Sequence, residues 1–110
     1  MVSFITEEQV GGALDYLRDN APVAAQARAN RIYVEEYRKT LKAQIMLEHA
    51  ELTIGAQERN AYADPRYIAH LEALRDAVEA DEKHRFLRST AEAKIDAWRT
   101  QSSNERAMKL

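Results

Sequence analysis

Three histidines, His49, His70 and His84, are the side chains of this chain best suited to acid–base or metal chemistry near neutral pH. A di-metal carboxylate bundle needs two Glu-x-x-His repeats on facing helices. Met46 stands three residues before His49 and Tyr67 three before His70, so only Asp81 with His84 approaches that spacing. One such pair arises readily by chance. The absence of cysteine removes disulfides, thiolate zinc sites and cysteine nucleophiles. No Gly-rich phosphate loop, G-x-S-x-G elbow or His-Glu-x-x-His helix occurs. Ser and Thr are scattered over expected helices, with no base placed to activate them. The sequence therefore reads as a non-enzyme with no catalytic residue, no metal and no cofactor.

What remains is charge and aromatic surface. Arg28, Arg31, Arg38 and Lys42 recur at steps of three, seven and four, so they can share one side of a helix. Residues 28–42 as a whole carry an excess of three positive charges, and so do residues 83–99, which include Arg85 and Arg88. Residues 1–22 carry an excess of three negative charges and residues 48–82 an excess of six, within a chain of net charge −2. A basic pole of this kind suits phosphate or an acidic protein surface, and Tyr33, Tyr37 and Trp98 lie near it in sequence, as base-stacking aromatics would. The plainer reading is a solvated helical face, with Glu35 and Lys39 as an ordinary i, i+4 pair and with Tyr37 and Trp98 in the core.

The elements that must position these residues follow from pattern. The 110 residues make about one small domain, 45% apolar and 31% charged, with three glycines and two prolines. No apolar run approaches the roughly 20 residues needed to span a bilayer, and "MVSFITEEQV" lacks the features of a signal peptide, so a soluble cytoplasmic protein is expected. Thr6 with Gln9 has capping-box spacing and opens a short helix over about 6–18, in which Gly11 and Gly12 mark either a weak turn or close approach to another helix. "DNAP" ends it, and Pro22 opens a second helix over about 22–52. Val23, Ala27, Val34, Tyr37, Leu41, Ile45 and Leu52 give that helix an apolar face. A kink or short helix, caused by the β-branched residues before Gly55, follows to about 62.

Asp64-Pro65 is an N-cap followed by the first position of a third helix, over about 65–101, with a polar tail at 104–110 that frays. Ile68, Leu71, Leu74 and Val78 form one stripe; Leu87, Ala91, Ile95 and Trp98 continue it after a shift around the axis. The expected fold is an all-α single domain over 1–103: a short N-terminal helix and a long antiparallel hairpin turning near Asp64-Pro65, completed to a bundle by homodimerisation. With the turn centred at position 64, Lys42 falls near Phe86, Arg31 near Ala97 and Arg28 near Thr100. The two basic stretches then meet at the open end, and the acidic first helix can fold over them.

The stretches "YVEEYRKTLKAQIM", "ERNAYADPRYIAHLEALRDAVEADE", "AKIDAWRT" and "ERAMK" resemble small helical proteins of unassigned role encoded by tailed bacteriophages and prophages. That resemblance implies a bacterial cytoplasm and a part in phage DNA metabolism or in blocking a host defence such as a CRISPR-type complex. It carries no site residues. The expected function is docking on a protein complex, one that handles nucleic acid or serves defence. The alternative is direct binding of single-stranded nucleic acid through Arg28, Arg31, Arg38, Lys42, Arg85 and Arg88.

Overall fold

A computed structural model describes residues 4–109. Helix α1 runs over Glu7–Leu47, α2 over Ile54–Ala63 and α3 over Pro65–Met108. There is no strand among the described residues. Long-range contacts divide the chain into two units: Gln26–Asp81, the central unit, and Met1–Ala25 with Glu82–Leu110, the terminal unit.

The start of α1 is the reciprocal capping box that Thr6 and Gln9 spell. Gln9 N donates to Thr6 Oγ1 at 3.1 Å and Thr6 N donates to Gln9 Oε1 at 2.9 Å. Glu7 and Glu8 occupy the first turn, where the helix dipole favours them. The expected stop at "DNAP" does not form, and Pro22 lies inside α1. Asn20, a residue suited to ending a helix, instead donates its side-chain amide to Tyr16 O at 3.1 Å within the helix. Burial of Val10 and Ala13 before the proline, and of Leu41 and Ile45 after it, commits both flanks to helix and outweighs the local penalty of the proline. A Cβ built on Gly11 or Gly12 meets nothing within 4 Å, so neither glycine marks a close helix approach.

In the central unit α1 ends at Leu47, five residues short of expectation. Tight turns follow, in which Glu48 N donates to Ile45 O, His49 N to Met46 O and Leu52 N to His49 O. Thr53 then caps α2, its hydroxyl accepting from Ala56 N, while the Gln57 side chain donates to Leu52 O at 2.9 Å. This is the short helix expected before position 62. The helix boundary at Asp64-Pro65 also forms as read, although the reversal of α3 against α1 takes up residues 48–64 and not that dipeptide alone. Asp64 Oδ1 accepts from Arg66 N at 2.8 Å, and Pro65 is the first residue of α3.

The arms of the central unit are antiparallel: rising positions on α1, Arg31, Val34 and then Glu48 beyond its end, meet falling positions Asp81, His70 and Arg66 on α3. The core is the cluster of Leu41, Ile45, Ala61 and Tyr67, with Met46 against it and Tyr62 edge-on to Tyr67. Ile45 is the largest side chain that is fully buried, a burial worth about 1.5–3 kcal/mol. The terminal unit buries Val10, Ala13 and Ala91. Its N-terminal segment is tied down by Ile5 N donating to Gln101 Oε1 and Gln101 Nε2 donating to Ile5 O, at 2.9 and 2.8 Å. Helix α3 continues through the expected polar tail as far as Met108.

Candidate functional site

Facing positions of the central unit are centred near residues 52–57, across the α1–α2 connection and the start of α2, not at position 64, because the chain leaves α1 at Leu47 and spends residues 48–63 before α3. Within the central unit the register differs from the expected one. Arg31 Nη1 lies 3.2 Å from Asp81 Oδ2, and its Nε lies 3.0 Å from Glu35 Oε1. Lys42 Nζ is 3.6 Å from Glu58 Oε1 and 4.7 Å from the centroid of the Tyr62 ring. Hydrogen bonding with Tyr62 is the main cause that raises the Lys42 pKa; desolvation opposes it, and the Glu58 carboxylate adds a weaker upward push.

The basic stretch of α1 therefore meets acidic residues of α2 and α3, Glu58 and Asp81, inside the central unit. In the terminal unit the acidic start of α1 belongs with the basic part of α3, as the charge pattern allowed. Arg85 lies there, 2.7 Å from Glu82 Oε2 and with its guanidinium over the Phe86 ring at 5.0 Å. Arg28, Arg38 and Arg88 are exposed and make no ion pair among the described residues. Of the six basic residues read as one site, the central unit holds Arg28, Arg31, Arg38 and Lys42, two of them tied to carboxylates from other elements. Arg85 and Arg88 belong to the terminal unit.

The aromatic residues behave differently from the plain core reading. Tyr33 is 67% exposed and Tyr37 36%, and their rings stack at 6.0 Å with an interplanar angle of 14°. Tyr37 continues onto His70 at 5.6 Å, and His70 Nε2 donates to Val34 O at 2.7 Å. That bond fixes the ring and places its proton on Nε2. The result is an aromatic ladder on the surface of α1, in line with the reading of Tyr33 and Tyr37 as exposed aromatics and not with the plainer reading of Tyr37 in the core.

Around the α1–α2 connection Leu47, Leu52 and Ile54 are exposed together with Glu48 and Glu51. The buried Nδ1 of His84 has no hydrogen-bond partner, and no group of three His, Asp or Glu able to hold a metal occurs among the described residues. A concavity beside Trp98, lined by Arg99, Ser102 and Arg106, belongs to α3 alone and encloses nothing. Among the described residues no helix is long and apolar enough to cross a membrane.

The geometry amounts to helix faces with large uncovered apolar and aromatic side chains, flanked by charges mostly satisfied within each unit. No protein family, curated protein or solved structure matches this chain.

Proposed function

We propose that this chain is a non-enzymatic helical interaction protein of bacteriophage type, working in the bacterial cytoplasm. It docks on a host or phage protein complex that processes nucleic acid or serves defence, and it pairs with its own copy as a homodimer. One observation carries the reading: the central unit buries only Leu41, Ile45, Ala61, Tyr67 and Ala77, yet leaves Leu47 75%, Tyr33 67% and Ile54 65% exposed. Large apolar side chains left exposed, as Leu47, Leu52 and Ile54 are around the α1–α2 connection, are the usual mark of a protein contact, and tyrosine is enriched there. The charge pattern agrees, since Arg31, Lys42 and Arg66 are engaged with carboxylates of their own unit.

Direct binding of single-stranded nucleic acid is the second reading. It is favoured by the exposed, unpaired Arg28 and Arg38 on the helix that carries the Tyr33–Tyr37 stack. Two measurements separate the readings. The immobilised protein is expected to retain a discrete host complex, and L47K/I54K is expected to lose it while keeping its helical circular dichroism. Titration with a labelled 30-nucleotide dT strand at two salt concentrations is expected to show no binding. Affinity for that strand falling steeply with salt, with no complex retained, overturns the docking reading in favour of the second.

A further inference from the structure

Along α1 in the central unit, Gln26, Asn30, Tyr33, Tyr37, Thr40 and Gln44 recur at alternating steps of four and three. That is the spacing of a coiled-coil seam, and it sets them in one row on the helix. All six are exposed. None is charged, although charged residues make up 31% of the chain and Arg28, Arg31, Glu35, Glu36, Arg38, Lys39 and Lys42 lie on the rest of the same stretch. In the middle of the row Tyr33 stacks on Tyr37, and Tyr37 lies against the His70 ring. Aromatic groups that already have partners give up less freedom on binding than free ones.

We infer that this row is the contact with a second copy of the chain, paired antiparallel about a two-fold axis between Tyr33 and Tyr37. The inference rests on reading the chain as an interaction protein, and it names the face and the partner. A two-fold contact presents each row to its own copy, so a charged row meets its own charge, whereas an uncharged row meets no repulsion. The order of side chains supports the antiparallel sense. Turned about its midpoint, the row sets Tyr33 on the second copy's Tyr37, Asn30 on its Thr40 and Gln26 on its Gln44. Aromatic meets aromatic, and each amide meets a group able to donate and accept hydrogen bonds.

The chain as a whole has surface to spare for such a contact: it exposes 8318 Å2, about 2,100 Å2 more than a folded monomer of 12.6 kDa. Obligate homodimers remove about 2,000 Å2 or more in total.

The test uses the whole chain, whose lack of cysteine makes single cysteines unambiguous. Sedimentation of the wild type is expected to give twice the 12.6 kDa mass. Y33R, at an exposed position, is expected to weaken the dimer about tenfold or more with unchanged circular dichroism. An oxidised mixture of N30C and T40C proteins is expected to form the mixed disulfide dimer in excess over either protein alone, and R28C, off the row, to form none.

A monomeric wild type at about 100 µM overturns the inference. So does a dimer indifferent to Y33R, or disulfides that form within N30C alone and T40C alone instead of between them. In the last two cases retention of a host complex by the wild type still upholds the docking function, so the two readings fail separately. A monomer that binds the dT strand through Tyr33 assigns the row to bases and overturns both.

Discussion

The two units differ in where they put the residues that resist helix. In the central unit Gly55 sits in the first turn of α2 and Pro65 opens α3, positions that tolerate each residue. In the terminal unit Gly11, Gly12 and Pro22 all lie inside α1. The bonding differs in the same direction. Three ion pairs of the central unit join separate elements, Arg31 to Asp81, Lys42 to Glu58 and Arg66 to Glu48, beside local pairs such as Arg31 with Glu35; in the terminal unit Arg18 with Asp15, Arg85 with Glu82 and Arg99 with Asp96 are pairs within one helix. Local preference and long-range contact agree in the central unit. In the terminal unit tertiary burial holds a helix that its own sequence would interrupt.

The hardest blow to that contrast is aimed at the central core. I45A removes a fully buried side chain from the Leu41–Ala61–Tyr67 cluster and is expected to cost about 2–5 kcal/mol. Hydrogen exchange followed by residue should show protection lost first across 26–81. Loss first in 4–25 would mean that the terminal unit depends on the central one for its order, and the two would no longer be contrasted as independently held.

The next test runs the other way. If α1 tolerates its internal breakers only because burial overrides them, removing them should stabilise. P22A is expected to raise stability by up to about 3 kcal/mol, and G12A by about 1 kcal/mol, since a Cβ at Gly12 meets no neighbour. Thermal melts of the single variants check both. A lower melting temperature for P22A would show that the proline serves a bend the fold requires.

These features decide how much was legible in the sequence. The all-α class, the Thr6–Gln9 box, the short helix before position 62 and the helix boundary at Asp64-Pro65 are local, each set by a few adjacent residues, and the structure contains them. The failures are all matters of long-range commitment. Pro22 reads as a boundary because a helix interior penalises it, and only the burial on both sides, invisible locally, carries α1 through. The expected register treats α2 as part of an arm, whereas it belongs to the turn, and Arg31 pairs with Asp81 in the central unit. The polar ending of α3 gave no apolar signal, yet Gln101 anchors it through Ile5. The uncharged row on α1 was present in the spacing, but a search for apolar and basic stripes passes over glutamine, asparagine and threonine.

The smallest effect isolates the turn that makes the central unit consistent. Asp64 accepts from Arg66 N at 2.8 Å and from Arg66 Nε and Nη2 at 3.0 Å each. These side-chain and then backbone hydrogen bonds to Arg66 lower its pKa below the ordinary 3.8, while desolvation opposes them. A depressed carboxylate pKa contributes stability that is fully present above the unfolded value and is lost as pH falls through the folded one. D64N keeps a capping oxygen but gives up the charge, so it should melt slightly below the wild type at pH 7, and the gap should close as pH drops below about 3.8. D64A, which loses the cap as well, should melt lower than D64N at pH 7 and remain below the wild type in acid. If D64N and the wild type keep the same gap from pH 7 to pH 2, the Asp64–Arg66 contact contributes only as a neutral cap. The consistency of the central unit would then rest on its helix ends and its core, with the ion pairs adding only the surface increment expected of exposed charges.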